Sequence, residues 1–382
     1  MRRINSIDFT RGLVMIVMAL DHTRDLLHIG TDPTDLSVTT PLLFLTRWIT
    51  HLCAPTFVFL SGVSAYLSFQ NTELKENQKF LVSRGLWLVL LEFTIVGLGI
   101  WFDLKFRTLF FQVIGAIGIG FILLAPLIRL SSKTILIIGL AIIFLHNLLG
   151  LLPFNQPPYS YLAPLFTFSV FQLSDTHVFA ISYPPIPWFG IMLLGYGFGG
   201  TVFSLSPRKR KTLLYKLGWL SLLLFVVLRY INIYGDPIPW KIDRDPVLVI
   251  MSFLNVTKYP PSLLYTLVTL GICFIILSVS ANKHGKFIKV VSTYGKVPLF
   301  YYLIHWYIIH TAMFVMLFFQ GFELKDLVFG SFQFGRPKAP SGLEIWYIYP
   351  IWLGIVALLY PMCKWYASYK AAHKDNKWLR YL

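Results

Sequence analysis

The sequence predicts an all-α fold, a polytopic transmembrane helix bundle of about ten spans with both termini in the cytoplasm. Three observations predict it. Of 382 residues, 56% are hydrophobic and 17% aromatic, but only 13% are charged, against about 25% charged in a soluble domain. The apolar residues arrive in separate runs of roughly 18–25, each long enough to cross about 30 Å of hydrocarbon. These runs are apolar all the way round, whereas a soluble helix shows a polar face at a period of 3.6 residues. Thirdly, Lys and Arg are distributed unevenly between alternate linkers. A soluble globular protein is excluded.

In chain order the expected spans are 9–29, 42–69, 82–101, 108–129, 134–152, 185–205, 212–233, 261–280, 297–319 and 345–366. The linkers between them carry Pro, Gly, Asn and charge, as turn signals should. The opening Met1-Arg2-Arg3 has the look of a signal peptide, but Asp8, Arg11, Asp21 and His22 follow without a small-residue cleavage site. The first segment therefore reads as a retained helix. In the second span Pro55 should loosen the helix and free a carbonyl, which is tolerated only against protein or a cavity. The sixth span carries Gly195, Gly197, Gly199 and Gly200, small residues that let helix backbones approach closely in lipid.

With a cytoplasmic N-terminus, the inner segments hold 21 of the 33 Lys and Arg and the outer loops hold 8. That split follows the positive-inside rule, so the net charge of +16 does not imply nucleic acid. Residues 1–370 read as one transmembrane domain and 371–382 as a short basic cytoplasmic tail. The expected location is the cell's inner (cytoplasmic) membrane, crossed many times. Cys53, Cys273 and Cys363 show no paired or metal-ligand spacing, and no metal is expected. Phosphate-binding and dinucleotide glycine loops and the His-Glu-x-x-His helix are also missing from the sequence.

Ionisable groups inside hydrocarbon are costly and mark functional sites, and the first span is rich in them. Arg11, Met15, Met18 and His22 fall at i, i+4, i+7 and i+11, one stripe of a helix. At 1.5 Å per residue Arg11 and His22 differ in depth by roughly 16 Å. Asp8 and Asp25 flank the stripe. An Asp8–Arg11 ion pair at the start of the helix and a His22 bonded to a neighbour would be the purely structural account. The second span adds Arg47 and His51 at i, i+4, and the ninth adds His305, with Tyr301 on the same face. Glu92, Gln112, His146 and Arg229 place one strong polar group in each of four more spans. Singly these suit interhelical hydrogen bonds; together they outline a polar interior.

Ser6-Ile7-Asp8-Phe9-Thr10-Arg11-Gly12 and Met18-Ala19-Leu20-Asp21-His22 resemble the opening helix of the heparan-α-glucosaminide N-acetyltransferase-like membrane family. Leu52-Cys53-Ala54-Pro55-Thr56-Phe57-Val58-Phe59-Leu60-Ser61-Gly62 resembles its second helix, and Leu254 to Ser262 is similar to bacterial members. Arg11, ten residues and His22 also resemble the first-helix signature of bacterial sugar O-acetyltransferases, and Tyr302-Leu303-Ile304-His305 their late Tyr-Leu-x-His element. The resemblance implies a transmembrane acyltransferase that takes acetyl-CoA or another acyl-CoA from the cytoplasm and passes the acyl group to an acceptor, a glycan, on the other side. It implies His22 as the catalytic histidine and Arg11 as part of the acyl-CoA path.

The residues themselves fit such a transfer. A base must remove the acceptor's proton, and histidine suits that work near neutral pH. Asp25 at i+3 is expected to orient His22, with His51 and His305 as the alternative histidines. The donor's phosphates need cations, and Arg11, Arg47, Arg84, Arg208, Lys209 and Arg210, with Asp8 beside Arg11, are the candidates. Positive-inside topology alone also accounts for the inner-face members of that set. The partners implied are the lipid bilayer, acyl-CoA and a glycan or other small acceptor, with a homodimer left open. The competing class is a transporter or flippase using the same intramembrane His, Asp and Arg groups; no internal repeat supports it.

Overall fold

The computed structural model describes residues 4–30, 32–70, 72–154, 156–373 and 375–381. The Met1-Arg2-Arg3 opening lies outside the described residues. Every expected span is at least partly helical: α1 (Asn5–Leu27), α2 (Pro41–Ser68), α3 (Leu74–Trp101), α4 (Val113–Leu127), α5 (Ser132–Leu151), α6 (Pro185–Thr201) and α7 (Pro207–Ile231) come first. After the short α8 (Pro246–Leu254) follow α9 (Leu263–Val279), the 11-residue α10 (Lys286–Lys296), α11 (Pro298–Phe319) and α12 (Ile345–Ala372). Six of these, α2, α3, α5, α7, α11 and α12, are long and apolar enough to cross a membrane. α4 and α9 are apolar but shorter, at 15 and 17 residues, and α6 has 17. α1 has 23 residues but carries Asp8, Arg11, Asp21, Arg24 and Asp25, and most of it is buried among other helices.

The fourth span starts later than expected. Thr108–Phe111 is a strand, β1, which pairs in parallel with β3 (Val178–Ile181); β3 pairs antiparallel with β2 (Ser169–Gln172). Hydropathy alone cannot separate a short apolar strand from a helical turn, and Thr-Leu-Phe-Phe favours the strand by β-branching and aromaticity. Extended Gln112 ends the strand. Buried Glu92, at the head of a π-turn in α3, then takes up the start of α4, its Oε2 accepting from Gly115 N–H at 2.6 Å and Gln112 N–H at 3.3 Å. A small hairpin, β4 (Phe329–Gly330) and β5 (Gln333–Phe334), precedes α12.

Further polar groups of the spans find partners on neighbouring elements. Proline cannot donate to the carbonyl four residues back; for Pro55 that carbonyl belongs to His51, and the Tyr265 hydroxyl donates to it at 2.9 Å. His146 sits against the carbonyls of Pro261 (2.9 Å) and Ile142 (3.0 Å). The glycines of α6 do the packing expected of them. A Cβ at Gly195 would overlap the Phe59 carbonyl on α2, and one at Gly197 would strike Leu136 on α5.

Candidate functional site

α1 contributes to two cavities, one toward each end. The first, of about 420 Å³, is lined by Arg11, Met15, Ser64, Arg84, Ile114 and Tyr302 among others, and its walls are mainly apolar. Arg11 donates from Nη2 to Ser64 Oγ at 2.8 Å and from Nη1 to the Gly295 carbonyl at 3.3 Å. Asp8 lies 3.8 Å from the same guanidinium. α10 comes close enough to supply that carbonyl because Gly12 and Gly295 let its backbone touch that of α1.

The second cavity, of about 670 Å³, is lined by Asp21, His22, Arg47, His51, Lys258 and Trp306. Trp101, Phe110, Tyr183 and Tyr259 add an aromatic wall. Asp21 pairs with Arg24 at 2.9 Å and with Arg47 at 3.4 Å, a buried cluster in which the cations offset the cost of the carboxylate. Lys258 is largely buried, its Nζ 5.0 Å from the centre of the Tyr259 ring. The expected stripe holds: Arg11 and Met15 face one cavity, His22 the other, and Met18 is buried between them.

His22 makes the site's closest histidine contact. Its Nδ1 lies 2.7 Å from His305 Nε2, and its ring stacks on Trp306 with centroids 3.9 Å apart. His305 is fully buried, with Nδ1 2.6 Å from the Tyr302 carbonyl and 3.2 Å from that of Tyr301. His51 lines the same cavity; its ring meets Tyr265 edge-on, and its Nδ1 is buried with no hydrogen-bond partner among the described residues.

Several sequence expectations need correction. Asp25 does not orient His22: its carboxylate is taken by Arg24, and the group on His22 Nδ1 is His305. Arg47 stands with Asp21 in the second cavity, not with Arg11. Arg208 and Lys209 line a separate cleft that shares no residue with the Arg11 cavity. Arg210 lies over the Phe203 ring at 5.6 Å and donates to its carbonyl. Asp8, Arg11 and Arg84 do gather at the first cavity. The sequence alone ranks Asp21, at i−1, below Asp25 as a carboxylate for His22, and gives Lys258, Tyr183 and Trp306 no role at the site. The available signal for Lys258 was a cation set in the Lys-Tyr-Pro-Pro tract.

The family model for heparan-alpha-glucosaminide N-acetyltransferase, catalytic, matches residues 3–234, more than half of the chain. The match includes Arg11, His22, Arg47 and His51, whereas Lys258 and His305 follow it in sequence. No curated protein matches the chain.

Proposed function

The chain belongs to the heparan-alpha-glucosaminide N-acetyltransferase family, and we propose that it moves an acyl group, acetyl in the first instance, from cytoplasmic acyl-CoA to a glycan acceptor across the membrane. One observation carries the reading. A single helix contributes an arginine to one cavity and a histidine to another, about 16 Å apart along its axis. In this reading all ten long segments cross a bacterial inner membrane, both termini are cytoplasmic, and the Arg11 end faces the cytoplasm. Residues 1–370 form one transmembrane domain and 371–382 its basic tail.

The lining of the first cavity fits the donor. Acyl-CoA supplies an activated thioester carbonyl; Arg11 and Arg84 can meet its phosphates, and the apolar walls suit its pantetheine arm. In the second cavity the aromatic wall suits the faces of a sugar ring. His22 accepts the proton of the acceptor's hydroxyl or amine as it attacks the thioester carbon, and passes it to the departing sulfur. Asp21, Arg24, Arg47 and Lys258 hold the charge around that step in a fixed array.

The test uses purified protein in nanodiscs. Acetyl-CoA at a hundredfold over its dissociation constant should stabilise the wild type by about 2.7 kcal/mol. His22→Ala should lose transfer and keep that stabilisation. Arg11→Ala should weaken binding by about 1.5–3 kcal/mol, roughly 10- to 150-fold. A wild type that acetyl-CoA does not stabilise refutes the proposal and turns the reading toward a transporter.

A further inference from the structure

We infer that His305 fixes the tautomer of His22, so that His22 presents an unprotonated Nε2 to the second cavity. The inference rests on the reading of His22 as the base of the transfer. It begins with His305, which is 0% exposed. Its Nδ1 lies 2.6 Å from the Tyr302 carbonyl oxygen and 3.2 Å from that of Tyr301. Carbonyl oxygens only accept, so Nδ1 of His305 carries the hydrogen. A second proton would make a buried imidazolium, and no carboxylate is within ion-pair distance of His305 among the described residues; an unpaired buried charge is far too costly. The neutral ring then has its lone pair on Nε2. That lone pair faces His22 Nδ1 at 2.7 Å, so His22 Nδ1 must donate.

With its hydrogen on Nδ1, neutral His22 has a free lone pair on Nε2. A neutral imidazole in water prefers the opposite arrangement, so the bond His22 donates to His305 selects the form that can act as base at Nε2. Trp306, stacked on the His22 ring at 3.9 Å, holds its plane. During transfer the acceptor forms a C–O or C–N bond to the acyl carbon and the C–S bond breaks. The acceptor's proton goes to His22 Nε2 and then to the leaving sulfur. His22 keeps its Nδ1 hydrogen throughout, and the bond to His305 strengthens while the ring is cationic. His305 is thus a positioning residue that does not touch the substrate.

The experiment combines nitrogen-15 NMR of histidine-labelled protein with turnover of His305 variants, the His22 signal being identified by its loss in His22→Ala. Wild-type His22 should be protonated on Nδ1 and bare on Nε2. His305→Leu removes the acceptor and should lower turnover by about a hundredfold or more while acetyl-CoA binding is unchanged. His305→Gln offers an amide oxygen at the same place and should recover most of that loss and the Nδ1-protonated signal. A wild-type His22 protonated on Nε2 overturns the inference, as does wild-type turnover in His305→Leu. Should the Leu variant fail to fold, the wild-type spectrum and the Gln variant decide. If His22→Ala retains transfer, the base reading fails instead, whatever His305 does.

Discussion

Replacing Arg229 by Leu should be among the most damaging single changes in this protein. Its side chain is only 1% exposed, on α7. Nε donates to the Phe253 carbonyl at 2.9 Å, Nη1 to Ile238 at 2.9 Å, and Nη2 to Ser252 at 2.9 Å and Asn255 at 2.7 Å. Asp236 lies 4.0 Å away and accepts from Thr257 N–H and the Ser262 hydroxyl at 2.8 and 2.7 Å. Each bond to a charged donor is worth about 1.5–3 kcal/mol, but bonds sharing one side chain do not add. Leaving four carbonyls and a buried carboxylate without their cation should cost on the order of 4–5 kcal/mol. Ile238, Asn255 and Lys258 line the His22 cavity, so transfer should fall with stability. Arg229→Lys keeps the charge with three donors on one nitrogen and should recover part of the loss. Unfolding midpoints in detergent give the measurement. A Leu variant within about 1 kcal/mol of wild type would refute the view that this guanidinium holds that wall of the His22 cavity.

Gly295→Ala would set a Cβ into the Asp8 carbonyl; the overpacking should cost about 1–3 kcal/mol and, by moving the carbonyl bonded to Arg11, weaken acetyl-CoA stabilisation in the same melt. At Asp103, in the loop after α3, burial pushes the carboxyl up, but the Arg107 side chain at 2.8 Å and the backbone N–H groups of Lys105 and Arg107 more than offset it and hold it below the usual carboxylate range. A depressed folded value stabilises above the unfolded value and is lost as pH falls through the folded one. Asp103→Asn should therefore melt earlier at pH 7, and the gap should close only below about pH 4.

The helices were legible because lipid demands long apolar runs, and the Arg11–His22 stripe because helical period fixes which residues share a face. Spacing gives an angle but not a competitor. Asp25 has the right angle for His22, yet its neighbour Arg24 captures it. The partner that does meet His22 is 283 positions away, and nothing local to either histidine encodes that meeting. Arg47 is a different kind of miss. The second span was expected to begin on the outer side, so its second turn, which carries Arg47, already belonged with His22, and grouping Arg47 with the donor's cations ignored depth. β1 was hidden because Thr-Leu-Phe-Phe satisfies hydropathy as well as a helical turn does.

The first helix also explains why the site exists at all. Asp8, Arg11, Asp21, Arg24 and Asp25 give α1 too much charge to face lipid, so the other helices must enclose it. Enclosure is tolerable only where each charge finds a partner. Arg11 finds Ser64 and the Gly295 carbonyl, and Asp21 finds Arg24 and Arg47. These partners come from α2 and α10 as well as α1, so satisfying the charges fixes how those helices meet it. Between the two clusters, Met15 and Met18 fill the stripe with flexible apolar volume. Polar groups that cannot be in lipid and apolar groups that need not be in water thus alternate along one buried helix. The residues that disqualify α1 as a simple membrane anchor are the ones that hold the two cavities open at its ends.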